Sequence, residues 1–512
     1  MNNKLVKNTM IVLAVSILAK LLAYLWEAML AAWLGAGDEA DALSMTTSVF
    51  NILYPILDLG IWKVFLPAYQ SKRSAGLRQD AEKIANGALS FFLLLSVALV
   101  GFLILCAEPI IGLLAPGFPT KKQILTVEFL RLSAPAYLLM SAASILGAIL
   151  QCHDRFLGSQ LREIGTHLSK ILFVLICFRF LGVWAAVAAI VVGSVFRVLI
   201  QLPFFNWGWR WRPGLDLKDR DMRAMIRGLP SVALTAAILH INSLVDRIFA
   251  SGARGGAVAC LNYGNRLMTV FSGLISTAVS TSTYPVMIDH IANGRADALR
   301  ELLVKIIHAL CYLIIPITVY CAVFSRQLVT VAFQRGEFDE AATLLTAGIF
   351  AGYCVGMLFT ALETVFSNVF YGYGDTRTTL IISSVMILVN VGLDILFYAL
   401  WGVPGLALAT SAAAILGLGL RLILLRRYIR LPWGRLLREI AVVAGSTGLA
   451  VLAAWLLCQR LTALPALPAL LLSLAVSAAI YLPMTLLLRS EAIRAIMQFG
   501  KKKLRRAAKP KD

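Results

Sequence analysis

The sequence predicts an all-α polytopic membrane protein of about 14 transmembrane helices. Three observations carry this. The chain has 512 residues, 59% of them hydrophobic, and a mean hydropathy of +0.81. Only 14% of it is charged, where a soluble chain carries about 25%. Apolar runs of roughly 20 residues, the length that crosses a bilayer, recur from end to end. They are continuous and do not alternate, which argues against a β-barrel.

The first run, 9–34, follows Lys4 and Lys7, as the core of a signal peptide would. Lys20 and Glu27 interrupt it, it reaches about Leu34, and no small-x-small cleavage site stands out. It therefore reads as a retained first span. Five spans follow, near 42–69, 84–114, 126–150, 159–180 and 183–205. Eight more lie near 224–251, 259–289, 300–324, 341–371, 378–400, 404–427, 437–458 and 466–488. Several exceed the minimum length, which allows tilt or projecting ends. The organisation expected is a six-helix lobe at 1–205, a cytoplasmic linker at 206–223, a second six-helix lobe at 224–430, helices 13 and 14 within 431–490, and a basic tail at 491–512. In the linker, Trp207-Gly-Trp-Arg-Trp-Arg212 reads as an aromatic anchor at the headgroup level or as an interfacial helix.

The net charge of +20 does not point to nucleic acid, because no separate soluble domain exists to bind it. The basic residues instead mark topology. Lys72, Arg73, Arg78 and Lys83, then Arg210 to Arg227, then Arg426 to Arg438, then Lys501 to Arg506 all fall on one side. Both termini are thus expected in the cytoplasm. The opposite loops are poorer in bases, and Gly37-Asp-Glu-Ala-Asp41 is acidic; Lys121 and Lys122 are exceptions. The eight cysteines form no CxxC pair and read mostly as small buried hydrophobes.

There is a hint of internal duplication at an offset of about 220 residues. Gly117-Phe118 and Asp154-Arg155 correspond to Gly336-Glu-Phe338 and Asp375-Thr-Arg377, and Val49-Phe50 to Val270-Phe271. Six spans separate the copies, so the halves run parallel and are related by an axis along the membrane normal.

Five charged residues stand inside the spans: Lys20, Glu27, Asp246, Arg266 and Asp394. Each costs about 2.5–3.5 kcal/mol at a helix centre unless it faces a partner, a wet cavity or a substrate. Lys20 and Glu27 are seven residues apart and share a helix face, with Trp26 and Tyr24 near them; they either line a cavity or pair with neighbouring helices. Asn242 with Asp246, and Asn390 with Asp394, repeat an i, i+4 pair of amide and carboxylate. With Thr410 they offer hard oxygen ligands for an alkali ion or a proton relay; the alternative is polar helix packing. Arg266 is a snorkelling cation, an anion clamp or a partner of Asp246. There is no P-loop, HExxH, GxSxG or CxxC, and the five histidines show no ligand spacing. A non-enzymatic transporter driven by an ion gradient or membrane potential is expected.

At these residues the chain resembles the MviN/MurJ family of lipid II flippases, within the multidrug/oligosaccharidyl-lipid/polysaccharide exporter superfamily. The matching stretches are Gly35-Ala-Gly37 with Asp41-Ala42, Ala115-Pro-Gly-Phe118, Leu244 to Ala250, Asn262-Tyr-Gly-Asn-Arg-Leu267, Phe333 to Phe338, and Phe370-Tyr371 with Gly374-Asp-Thr-Arg377. The resemblance covers about residues 9–430, and spans 13 and 14 fit the family's two extra helices. It implies two six-helix lobes around a central cavity, and alternating access that moves a lipid-linked peptidoglycan precursor to the outer leaflet of the bacterial cytoplasmic membrane. It places Lys20 and Arg266 at family cavity arginines and Asp41 at an aspartate near the start of span 2. It also implies a Na+ site at Asp246, Asn390, Asp394, the Leu406 carbonyl and Thr410. Two family arginines are replaced here, by Trp26 and Tyr54, and Lys20 keeps charge without the guanidinium fork. With Glu27, these six make the substrate-binding set expected: Lys20, Trp26, Glu27, Asp41, Tyr54 and Arg266. The partners expected are lipid II, or another polyprenyl-pyrophosphate glycan, and membrane lipids, with a monomeric chain. The rivals are a drug or small-cation exporter of the same superfamily, toward which Glu27, Trp26 and Tyr54 lean, and a non-transporting scaffold.

Overall fold

The computed structural model describes residues 3–206, 209, 211–460, 464–488, 490, 491 and 493. Every predicted span falls on a helix or on a broken helix. The first half of the chain forms α1 (Asn3–Leu34), α2 (Asp38–Gly60), α3 (Leu66–Ser74), α4 (Arg78–Leu105), α5 (Ala107–Leu114), α6 (Thr120–Ser133), α7 (Ala136–Cys152), α8 (Phe156–Leu181) and α9 (Val183–Leu199). The second half forms α10 (Arg220–Ser251), α11 (Ala257–Ala292), α12 (Ala296–Val323), α13 (Ser325–Phe333), α14 (Glu340–Gly372), α15 (Thr376–Trp401), α16 (Val403–Leu425), α17 (Trp433–Arg460) and α18 (Ala466–Leu487). Among the described residues, eleven helical segments are long and apolar enough to cross a bilayer, and the α6–α7 pair makes a twelfth. The helices α10 and α11, of 32 and 36 residues, lie at the predicted seventh and eighth spans.

Prolines break two spans. The α6–α7 pair bends by 42° beside Pro135, which has no N–H to give the turn before it. Between α2 and α3 the helix widens to a π-turn at Ile61–Phe65, where the Leu66 N–H reaches back to the Ile61 carbonyl. Pro67 follows, and the wider turn absorbs the hydrogen bond it cannot make.

Contacts divide the chain into two compact units. Unit 1 is Met1–Asn262 with Gly336–Phe338; unit 2 is Tyr263–Arg335 with Asp339–Asp512. Unit 1 takes α10 because that helix packs along α2, although the sequence repeat begins anew at residue 224. The core of unit 1 gathers Ile61, Phe65, Phe92 and Ile149 with Met222 and Met225. That of unit 2 includes a cluster of Tyr320, Phe324, Val451, Ala454 and Leu470.

The backbone carries the duplication more clearly than the side chains do. Residues with left-handed φ pair along the chain at spacings of 218–221: Gly35 with Gly256, Gly76 with Gly294, Asp154 with Gly374, and Gly182 with Gly402. Asp154 holds a conformation that glycine adopts freely at the matching position in the second copy.

Of the tryptophan-rich stretch, 207, 208 and 210 lie outside the described residues, as does the basic tail beyond 493. Residues 211–219 of the linker lie as a strap on α4. The backbone N–H groups of Arg212 and Gly214 donate to Asn86 Oδ1 (3.2 Å) and Ser90 Oγ (3.2 Å). Lys83 reaches Asp216 (3.1 Å) and Asp219 (3.3 Å), and Lys72 reaches Asp221 (2.9 Å). Asp219 also caps α10, accepting from the Asp221 and Met222 N–H groups. The Lys83 ammonium and the Lys218 N–H hold Asp216 below the ordinary aspartate value of 3.8, and the Met222 N–H and Lys83 do the same for Asp219. Their contribution is present above that value and is lost as pH falls through the lowered values. Lys83→Ala is expected to raise amide hydrogen exchange across 211–222 severalfold at neutral pH. Unchanged exchange there would show that the strap is held by its backbone bonds alone.

Candidate functional site

Unit 1 contains a polar network within its spans. Tyr54, Asp58 and Trp62 follow one another at four-residue steps on one face of the second span. Asp58 Oδ1 accepts from Tyr54 (2.9 Å), Ser144 on α7 (2.5 Å) and the Trp62 indole (3.2 Å). The Arg197 guanidinium on α9 donates to Tyr54 (3.2 Å) and to Glu163 on α8 (2.5 Å). Arg162 lies 3.4 Å from Glu163 and its guanidinium stands 5.5 Å from the Trp62 ring. Two guanidinium groups and two carboxylates thus share one network, which offsets the cost of each charge.

The other predicted residues fall as follows. Trp26 is buried on α1, with the Lys170 ammonium of α8 at 5.3 Å from its ring. Glu27 is buried and accepts from the Asn262 amide at 3.3 Å. Lys20 is half-buried on α1. Arg266 is half-buried on α11 and belongs to unit 2. Asp41 is elsewhere.

The count of five intramembrane charges is too low. Asp58, Arg162, Glu163, Lys170 and Arg197 in unit 1, and Glu363 and Arg421 in unit 2, also lie on spanning helices. Arg421 on α16 bonds Glu363 on α14, and also Ser367 Oγ at 3.2 Å. A sequence signal existed: Arg197 and Arg421 each follow a glycine by four residues in an apolar helix. A Cβ at Gly417 would lie 2.3 Å from Glu363 Oε1, and one at Gly193 2.8 Å from Lys170 Cγ. The glycines clear space for charged side chains.

Asp41 sits in a closure at the acidic-loop end of unit 1. Its carboxylate is 2% exposed and accepts from the Gly256 and Ala259 N–H groups, both at 2.8 Å. It therefore caps the first turn of α11, where the helix dipole favours an anion. Lys122 on α6 bonds it at 2.7 Å. Two tight backbone approaches complete the closure. A Cβ on Gly256 (φ +85°) would lie 1.9 Å from the Ala36 carbonyl oxygen, and one on Gly336 (φ +59°) 2.1 Å from that of Ala32. The Glu337 N–H donates to the Ala32 carbonyl at 2.9 Å.

In unit 2, Asn390 and Asp394 on α15 are fully buried beside Thr410 on α16. The Asn390 amide lies 3.3 Å from both Asp394 Oδ2 and the Thr410 N–H. Nitrogen toward the carboxylate gives two long hydrogen bonds; oxygen toward it gives the facing oxygens that a hard cation takes. The Thr410 hydroxyl donates to the Leu406 carbonyl at 3.2 Å. Asp246 is buried on α10, in unit 1.

A cavity of about 460 Å³ opens among α11, α12, α17 and α18 of unit 2. Phe271, Pro316, Val451, Leu467, Leu470 and Leu474 line it. The Tyr320 hydroxyl at its wall is satisfied by the Leu470 carbonyl (2.9 Å) and Ser473 Oγ (2.8 Å), so the surface it offers is apolar.

The sequence model for the lipid II flippase MurJ family matches residues 30–482. Proteins described as probable lipid II flippase MurJ from Synechocystis and from Vibrio cholerae are each 26% identical to the chain. The first aligns over 88% of both chains and the second over 82% of both. Among solved structures, a lipid II flippase MurJ in an inward closed conformation superposes with a TM-score of 0.80 at 20% identity. It covers 93% of this chain and 98% of its own. An inward-facing multidrug MATE transporter of the MOP superfamily gives 0.69 at 17% identity, over 80% and 95% of the two chains. These structures share the fold; the match across most of the sequence gives the kinship, and the chain belongs to the MurJ lipid II flippase family.

Proposed function

We propose that this protein flips lipid II from the inner to the outer leaflet of the bacterial cytoplasmic membrane by alternating access. The observation that carries the mechanism is the closure at Asp41, Gly256 and Gly336. It joins residues more than 200 positions apart by a few hydrogen bonds and close glycine contacts. Such a junction can open without unfolding a core. Family membership supports the cargo. The basic loops support a topology with both termini in the cytoplasm and the closure on the outer side. Two further features suit the cargo. Lys170 and Arg197 bring positive charge back to Trp26 and Tyr54, where family arginines are missing. With Lys20 they are the candidate contacts for a pyrophosphate in unit 1. The apolar cavity beside α17 and α18 suits part of a polyprenyl chain. The protein acts as a monomer and without ATP.

Coupling falls to the sodium site that the family resemblance implies; of its residues, Asn390, Asp394, the Leu406 carbonyl and Thr410 lie together in unit 2, and their oxygens suit sodium. A bound cation supplies charge that offsets the buried carboxylates. The ion changes the conformational balance only through unequal affinity for the two states. Purified wild-type protein should gain a few degrees of melting temperature at saturating sodium over potassium, since about 100-fold saturation stabilises by about 2.7 kcal/mol. Asp394→Asn should lose that gain. An equal sodium gain in both would refute the ion site. For the cargo, vesicles containing the protein should expose labelled lipid II at the opposite leaflet faster than protein-free vesicles; equal rates would refute the flippase reading.

A further inference from the structure

Lys122 is one of the two bases that the charge rule leaves out of place, and the fold buries it. Its side chain is 4% exposed, on the first turn of α6. The ammonium lies 2.7 Å from Asp41 Oδ2, 2.8 Å from Asp38 Oδ1 and 4.5 Å from the centre of the Phe118 ring. Asp41 thus has two kinds of donor. The Gly256 and Ala259 N–H groups flank the start of α11, and leave when that helix start withdraws. Lys122 belongs to α6, which packs on α2 itself, and stays. A carboxylate that lost every donor at once would have to take a proton or stall the opening. Asp38, with 67% of its side chain exposed, gives the ammonium a second anchor at the solvent edge.

We propose that Lys122 is a resident counter-ion for the closure. It keeps Asp41 ionised whether or not α11 is docked, so that the acidic-loop end closes and opens with no change of protonation. It is a positioning residue acting through Asp41, and its role rests on the alternating-access reading above.

Cys260, fully buried one turn into α11, reports the closure without an added probe. Its modification by a membrane-impermeant maleimide, applied from the acidic-loop side and read by peptide mass spectrometry, measures opening. Lys122→Met leaves a buried carboxylate without its ammonium, and labelling should quicken by about tenfold or more. Lys122→Met with Asp41→Asn removes both charges, and labelling should return to within about threefold of wild type. If the single variant fails to fold while the double folds, the charge coupling is supported by that contrast. A folded Lys122→Met that labels at the wild-type rate overturns the proposal, as does a double variant as fast as the single. Wild-type Cys260 that never labels while the same vesicles flip lipid II would overturn the alternating-access reading at this end.

Discussion

Gly256→Ala is expected to stop lipid II flipping in a protein that still folds. The added methyl meets backbone, not a side chain that can turn away: 1.9 Å from the Ala36 oxygen and 2.6 Å from its carbonyl carbon. The left-handed φ of +85° adds about 1–2 kcal/mol for any residue with a Cβ. Relief requires the turn between α1 and α2 to move away, which breaks the Gly256 and Ala259 hydrogen bonds to Asp41. Both penalties fall on the closed state alone. A loss of several kcal/mol there holds the acidic-loop end open. Gly76→Ala is the control, because its φ of +75° carries the same strain with nothing within 4 Å of the new Cβ. It should keep its transport with a small drop in stability. Vesicle flipping and melting temperature measured together check both. Wild-type transport by Gly256→Ala would mean that the closure is not part of the cycle.

Arg197→Met carries the second large effect, on stability. The guanidinium is 7% exposed and holds Glu163 at 2.5 Å and Tyr54 at 3.2 Å. Its removal leaves Glu163 with Arg162 at 3.4 Å and takes a donor from Tyr54. Breaking such a buried pair costs about 3–5 kcal/mol. Arg197→Met with Glu163→Gln removes both charges and should recover about 1–3 kcal/mol of that loss. Reversible denaturation of the four proteins in detergent gives the cycle. Additive losses would mean that Arg197 and Glu163 are held by their separate neighbours and not by one another.

The spans were legible because bilayer crossing depends on local composition, and each predicted run lies on a helix or a broken helix. Their breaks were less so. The π-turn at Ile61–Phe65 depends on where Pro67 falls relative to one carbonyl, which hydropathy does not weigh. The duplication was faint in side chains and clear in the left-handed backbone positions, because turn geometry constrains glycine more tightly than a membrane constrains an apolar residue. Within the site, Glu27 drew notice as a charge in an apolar run, but its partner Asn262 lies 235 residues away. Arg197 and Arg421 escaped because each stands near a span end, where an arginine passes for a snorkelling side chain. Asp41 was noticed as a family position, and the fold puts it at a helix start, with Lys122 beside it. Nothing along the sequence joins those two residues, 81 positions apart.

Every step above rests on passage of lipid II across the membrane. Rescue of bacteria depleted of their own lipid II flippase tests it most directly, with lipid II at the outer leaflet measured as the depleted cells begin to fail. The wild-type chain should restore outer-leaflet lipid II and growth, and Gly256→Ala, present at equal level in the membrane, should restore neither. A folded wild-type chain that leaves lipid II confined to the inner leaflet would contradict it.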